Sequence, residues 1–107
     1  METDVLKLKV NDSFEEIIQL MESRSPLFLT RFKEVYPEFY AKLITHTPEL
    51  TEHDLKFSAY IRLNLTNKEI CQYENISLRG VETKRYRLKK KLKLPQEVEL
   101  QKWILEL

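Results

Sequence analysis

Apolar residues recur along this chain at intervals of three or four positions, and strand-like alternation of apolar and polar residues is rare. Only one of the 107 residues is glycine and four are proline. This pattern predicts an all-α protein. The apolar faces of the expected helices carry these residues: Phe14, Ile17, Ile18 and Met21; Phe28, Phe32, Val35 and Tyr36; Phe39, Tyr40, Leu43 and Ile44; Leu55, Ala59, Tyr60, Ile61 and Leu63; Leu78, Val81, Leu88 and Leu92; and Leu100, Trp103, Ile104 and Leu107.

Residues typical of helix starts stand before several of these faces. Ser13 and Glu16 have the spacing of a capping box, in which each side chain bonds the backbone N–H of the other residue. Pro26 suits the first position of the second helix. Pro37 is expected to bend the chain, because a proline inside a helix removes a backbone hydrogen bond. Thr51 is expected to cap the fourth helix.

A tight turn separates two helices in the second half of the chain. Thr66 and Glu69 form another capping box, which predicts a helix over about residues 67–74. Asn75 tolerates the left-handed backbone conformation that a turn after this helix needs. Ser77 then caps a basic helix. Two helices joined so closely, the second of them basic, predict a helix-turn-helix.

Positive charge is concentrated in that second helix. Residues 77–93 hold eight basic residues and one acid, whereas residues 1–76 hold nine basic and thirteen acidic residues. The formal net charge of the whole chain is only +1. A local positive region on an acidic protein predicts a surface that faces a polyanion.

A helical projection of residues 77–93 separates a buried side from a polar side. Val81, Leu88 and Leu92 fall in one narrow sector, which is expected to face the core. On the opposite side, cations would neutralise phosphates, and polar groups would contact base edges in a major groove. The residues of that side are Arg79, Thr83, Tyr86 and Lys90, flanked by Glu82 and Arg87.

Two other interpretations of the basic helix remain open at this point. A run of charge is often only a solvated surface. Alternatively, the helix docks an acidic protein partner, and the chain is a protein-interaction module of a signalling regulator. RNA is a weaker alternative, because Tyr86 is the only ring on the polar side that could stack on a base.

Other chemistry finds little support in the sequence. The spacing of His46, His53 and Cys71 matches no metal-binding motif, and Cys71 is expected to be a small core residue. The single glycine excludes a phosphate-cradling glycine loop, so we expect neither an enzyme nor a cofactor. One cysteine cannot form an internal disulfide, which fits a reducing cytoplasm. No apolar run approaches the ~20 residues that span a bilayer, so no membrane contact is expected.

From Leu50 to Leu94 the sequence resembles the LuxR/GerE-type helix-turn-helix domain of bacterial transcription regulators. The stretch RLNLTNKEICQYENISLRGVETKRYRLKKKL is also similar to a subgroup found at the C-termini of large sensory regulators in Bacteroidetes. The matching residues are Leu50, Thr51 and Asp54; Leu65, Thr66, Asn67, Lys68, Glu69 and Ile70; Ile76 and Ser77; Val81, Glu82 and Thr83; and Lys91 and Leu92.

The resemblance implies sequence-specific binding of double-stranded DNA in transcriptional regulation. It implies a helical N-terminal extension over residues 1–48, an adaptor below a sensory domain, and a four-helix domain over residues 49–107. Residues 77–93 would form the recognition helix in the major groove. By position, Glu82, Thr83 and Tyr86 would face bases; Arg79, Lys84, Arg87 and Lys90 would hold phosphates or base edges; and Lys68 would contact the DNA backbone from the preceding helix.

The chain departs from the family pattern at four positions. Gly80 replaces Thr or Ser in the first turn of the basic helix, and Arg85 stands where an apolar residue is common. Asn64 and Lys93 replace glycines that are frequent at helix ends. Pro95 is expected to end the basic helix, and a last helix is expected from Gln96 to Leu107. This helix either covers the core or pairs two copies of the chain, and the family favours a homodimer.

Overall fold

The computed structural model describes residues 13–107, and within that range it contains seven helices and no strand. The chain forms two compact units, Met1–Pro37 and Glu38–Leu107. The all-α prediction is therefore confirmed for the described residues. The helices are α1 (residues 13–22), α2 (Phe28–Val35), α3 (Pro37–His46), α4 (Glu52–Arg62), α5 (Asn67–Glu74), α6 (Leu78–Lys91) and α7 (Leu100–Glu106).

The first unit contains α1 and α2. Arg31 on α2 forms ion pairs with Glu16 on α1 (3.2 Å) and with Glu34 one turn further along α2 (2.9 Å). These two carboxylates raise the pKa of the Arg31 guanidinium, chiefly through their hydrogen bonds to it. The rings of Phe32 and Tyr36 stack with their centroids 4.8 Å apart. Arg31 thus links α1 to α2 beside the buried apolar residues Ile17 and Phe32.

Three predictions for the first unit are wrong and one is confirmed. Ser13 is already helical, so it cannot be an N-cap, whose backbone is non-helical. Phe14 is 39% exposed rather than buried. Pro26 lies in a turn before α2, because the Ser25 hydroxyl accepts a hydrogen bond from the N–H of Leu27, the N-cap (3.1 Å). The interruption predicted at Pro37 is confirmed, because α2 ends at Val35 and Pro37 is the first residue of α3.

The predicted helix starts of the second unit are confirmed. The Thr51 hydroxyl accepts a hydrogen bond from the Asp54 N–H (3.1 Å), and the Asp54 carboxylate accepts one from the Thr51 N–H (2.9 Å). Thr66 and Glu69 make the same reciprocal pair at α5. The Ser77 hydroxyl accepts a hydrogen bond from the backbone N–H of the third residue of α6 (3.1 Å). The bounds of α5 agree with the prediction.

Left-handed residues follow the ends of α4, α5 and α6. Asn64, Asn75 and Lys93 have φ angles of 62°, 54° and 56°. After Lys93, the Leu94 N–H donates to the Lys89 carbonyl (3.2 Å), which reverses the chain and satisfies an acceptor at the end of α6. A left-handed backbone costs about 1–2 kcal/mol for most L-residues, which explains why glycine is frequent at such positions.

The C-terminal boundaries differ from the predictions. The basic helix ends at Lys91, before Pro95, because the left-handed Lys93 already terminates it. The last helix begins at Leu100 rather than at Gln96. The intervening residues form a turn in which the Val98 N–H donates to the Pro95 carbonyl (3.0 Å).

In the second unit, α5 packs against α6 and α4 packs against α7. Val81, Leu88 and Leu92 are each at most 2% exposed, which confirms the core sector predicted for the basic helix. The rings of His46 and Trp103 meet edge to face with centroids 4.9 Å apart. The buried apolar residues of α4 to α7 are Leu55, Phe57, Ala59, Tyr60, Ile61, Ile70, Val81, Leu88, Leu100 and Ile104.

Candidate nucleic-acid interface

One side of α6 is open to solvent along its whole length. We call this side the outer face and define it by six exposed residues. Because the opposite side of the helix packs into the core, these six residues lie on its solvent side. They are Arg79, Glu82, Thr83, Tyr86, Arg87 and Lys90.

The cations of the outer face are not neutralised by the protein. Among the described residues, no carboxylate lies within ion-pair distance of Arg79, Arg87 or Lys90. The Lys90 ammonium lies 4.8 Å from the centroid of the Tyr86 ring, which is a cation–π contact. That contact orients both side chains and leaves the positive charge of Lys90 available to an external anion.

Four other cations of α6 are bound by the scaffold, and we call them the flank cations: Lys84, Arg85, Lys89 and Lys91. The Lys84 ammonium contacts Nε2 of His53 at the start of α4. Lys91 forms an ion pair with Asp54, on the same turn of α4. Two lysines thus attach α6 to one turn of α4.

Asp54 has two roles at this junction, since it is also the capping partner of Thr51. Partial burial on its own would raise the pKa of the Asp54 carboxyl. The hydrogen bonds from Lys91 and Thr51 outweigh that effect and lower the pKa below its ordinary value. The charged form of Asp54 is therefore favoured in the folded protein.

Arg85 connects α6 to α5 and to α7. Its guanidinium donates to the side-chain oxygen of Asn67 (2.6 Å) and to that of Gln101 (3.2 Å). Burial lowers the pKa of Arg85, while the charge of Glu99 acts in the opposite direction. Gln101 in turn donates to the side chain of Asn64 (2.7 Å). An arginine at the edge of the core is thus accommodated by neutral amides from two neighbouring helices.

Lys89 completes the flank cations. Its ammonium donates to the backbone carbonyl of Gln96 (2.9 Å), in the connection between α6 and α7. The flank cations therefore bind α4, α5, α7 and the segment before α7. Together they fix the orientation of α6 relative to these neighbours.

A nearly buried acid also joins α4 to α5. Glu74 is only 10% exposed and accepts a hydrogen bond from the Tyr60 hydroxyl (3.4 Å). His53 and Lys56 approach its carboxylate to 3.7 Å and 3.9 Å. Burial, followed by the charge of Glu74, raises the pKa of Tyr60, which keeps the phenol protonated.

The eight predicted site residues do not all lie together. Six of them form the outer face. Lys84 is half-buried and turned towards His53. Lys68 is exposed, but it lies on α5. The structure thus brings the predicted base-facing residues together with three of the predicted phosphate contacts.

Sequence reasoning missed one residue of this surface. Leu78 was expected in the apolar seam of α6, yet it is 53% exposed. It is the first residue of the helix, where the chain has not yet reached the core that covers Val81. Its position in the first turn was the one sequence feature that indicated this exposure. A helical projection shows the side of a helix on which a residue lies, but not how far along the helix the core extends.

Comparison with protein-family models, curated proteins and solved structures finds no match for this chain. Among residues 13–107, no helix is long and apolar enough to cross a membrane. Within the same residues, no group of three or more His, Cys, Asp or Glu side chains is arranged to hold a metal ion.

Proposed function

We propose that the second unit binds double-stranded DNA in a sequence-specific manner and acts in bacterial transcriptional regulation. In this proposal α5 and α6 form a helix-turn-helix, and α6 enters the major groove. The observation that carries it is the outer face. It combines three cations that have no carboxylate partner within the described part of the chain with three groups capable of directional contacts.

The cations would supply affinity. Arg79, Arg87 and Lys90 extend from a helix narrow enough for the major groove, and each would neutralise a backbone phosphate. Every phosphate neutralised releases a condensed counterion, so that binding weakens as salt rises. Lys68, exposed on α5, would add a contact to the same backbone.

Glu82, Thr83 and Tyr86 would supply sequence preference. A carboxylate accepts a hydrogen bond from the amino group of cytosine, and a threonine hydroxyl both donates and accepts. A carboxylate also repels phosphate, so Glu82 favours an orientation in which it faces bases. Both the acid and the surrounding cations are then used in one binding mode.

The flank cations support this function indirectly. A recognition helix must be held in a fixed orientation for its side chains to match base edges. Lys84, Arg85, Lys89 and Lys91 bind α6 to its neighbours from several directions. The resemblance to LuxR/GerE-type domains points the same way, and it extends the proposal to a cytoplasmic regulator with a sensory domain upstream.

The exposure of residues 96–107 limits which of their side chains could pair two copies in a homodimer. Leu100 and Ile104 are buried within the chain, so they are not available to a partner. Leu105 is 37% exposed and Trp103 is half-buried beside His46. A dimer through α7 would therefore use Leu105 and the edge of Trp103.

Selection from a random pool of duplex DNA, at moderate salt, tests the proposal. The full chain is expected to enrich one motif, as an inverted repeat if it binds as a dimer. Retention without enrichment would contradict sequence-specific recognition. No retention would contradict DNA binding and support the alternative, a module that docks an acidic protein through the same face.

Variants of the outer face sharpen this test. Glu82→Ala and Thr83→Ala are expected to change the enriched motif more than the overall affinity. Lys90→Ala is expected to weaken binding to every sequence and to reduce the slope of log K against log salt by about one. Equal effects of all three substitutions on every sequence would contradict this division between base and phosphate contacts.

A further inference from the structure

We propose that Leu78 contacts the C5-methyl group of a thymine and thereby adds to the sequence preference of α6. This inference rests on the proposed DNA binding. The observation behind it is the exposure of Leu78, 53%, at the first position of a helix that otherwise presents charged and polar groups to solvent.

Leu78 belongs to a row with a distinct composition. Leu78, Glu82 and Tyr86 are spaced four residues apart and lie along one side of α6. Both Leu78 and Tyr86 are well exposed, Tyr86 at 60%, and the row continues to Lys90, whose ammonium lies over the Tyr86 ring. The part of the row nearest the helix N-terminus, Leu78 and Glu82, therefore carries no positive charge. The neighbouring row, Arg79, Thr83 and Arg87, is cationic at both ends.

The N-terminal part of this row has no cation, so it is poorly suited to phosphates and well suited to base edges. In the major groove, thymine presents a methyl group that apolar side chains contact, and cytosine presents an amino group that a carboxylate contacts. The N-terminal residues of a recognition helix are the ones that reach base edges. Leu78 is therefore placed to bury its methyl groups against a thymine methyl, beside the base that Glu82 contacts.

Isolated exposed leucines are common on protein surfaces and need no function. What sets Leu78 apart is its surroundings, since it directly precedes Arg79 and lies one turn before Glu82, two residues of the outer face. Leu27, the N-cap of α2 and 60% exposed, is the matched control, because it is a surface leucine outside α6.

The test replaces thymine by deoxyuridine, one position at a time, in the duplex that the chain selects. Deoxyuridine pairs as thymine does but lacks the methyl group. The wild-type chain is expected to bind about three- to tenfold more weakly at one or two positions, the effect of removing one or two buried methyl-sized contacts. Leu78→Ala is expected to lose that discrimination, and Leu27→Ala to retain it.

The outcomes separate this inference from the proposed function. Equal discrimination between thymine and deoxyuridine by the wild type and Leu78→Ala would overturn the role of Leu78. A selected motif with no methyl dependence would overturn it as well, while leaving sequence-specific binding intact. Failure to retain any duplex would overturn both.

Discussion

The flanks and the outer face of α6 carry the same kinds of residue and have different partners. Lys90 and Lys91 are adjacent in the chain and both exposed. Lys91 forms an ion pair with Asp54, whereas Lys90 lies over the Tyr86 ring. The cations of the basic segment therefore fall into two groups. Half of them contact other parts of the protein and hold the helix in position, and the remainder face solvent.

This difference explains how one short helix combines a buried seam with so many cations. The seam of Val81, Leu88 and Leu92 fixes which side faces the core. Cations next to the seam reach polar groups on α4, α5 and the connection to α7. Cations opposite the seam have no carboxylate partner among residues 13–107, and these are the ones we assign to DNA.

The largest difference in the free energy of unfolding is expected between substitutions of two leucines on α6. Leu88→Ala should lower the free energy of unfolding by about 2–4 kcal/mol, because it removes buried atoms and leaves a cavity. Leu78→Ala should change it by less than about 0.5 kcal/mol, because the side chain is exposed. Urea denaturation measures both. A large loss for Leu78→Ala would show that it belongs to the seam after all.

A smaller difference in the free energy of unfolding is expected between substitutions of a flank arginine and of an outer-face arginine. Arg85→Ala should cost about 1–2 kcal/mol of unfolding free energy, since it leaves the side-chain oxygens of Asn67 and Gln101 without their donor. Arg87→Ala should cost less than about 0.5 kcal/mol and should weaken DNA binding. If Arg87→Ala destabilised the fold as much, the distinction between the two surfaces would be wrong.

Gly80→Ala should stabilise the protein by about 0.5–1 kcal/mol, because alanine is favoured over glycine inside a helix. A Cβ atom at this position would lie 3.4 Å from the Ser77 hydroxyl oxygen and 3.5 Å from Ile76, which are ordinary contacts. Thermal unfolding and DNA affinity should be measured together. Weaker binding by a stabilised variant would indicate that the backbone at Gly80 approaches the DNA, whereas a destabilised variant would contradict the helix geometry.

The smallest effect concerns pH. Because the pKa of Asp54 is lowered in the folded protein, its ionised carboxylate stabilises the fold above the unfolded pKa, about 3.8. That stabilisation is lost as pH falls through the folded value. The free energy of unfolding should therefore fall on acidification, and Asp54→Asn should reduce that dependence. Lys91→Met should reduce it in part, because the Thr51 hydrogen bond remains. Denaturation at pH 7 and pH 3 compares the three proteins, and an unchanged dependence in Asp54→Asn would contradict the assignment.

Local chemistry made several elements predictable from the sequence. Thr51, Thr66 and Ser77 act within three residues of themselves, and Asn75 adopts its left-handed conformation within one turn. The seam of α6 followed from periodicity alone. Such features depend on neighbours in the chain, and they are visible in the order of residues.

The division of the cations depended on residues far apart in the chain. Lys84 meets His53 and Lys91 meets Asp54 across 31 and 37 residues, which no local pattern records. The exposure of Leu78 depends on where the core stops. The start of α7 depends on the turn after Pro95. These features arise from packing, so the sequence predicted the outer face while missing what surrounds it.

The salt dependence of duplex DNA binding tests the central claim most directly, with two triple variants of equal charge. One changes the outer face, Arg79, Arg87 and Lys90 to Gln, and the other changes the flanks, Lys84, Lys89 and Lys91 to Gln; circular dichroism first establishes that each is folded. The outer-face variant should reduce the slope of log K against log salt by about two to three, and the flank variant by less than about one. Equal reductions would show that the two sets of cations act alike and would contradict the account.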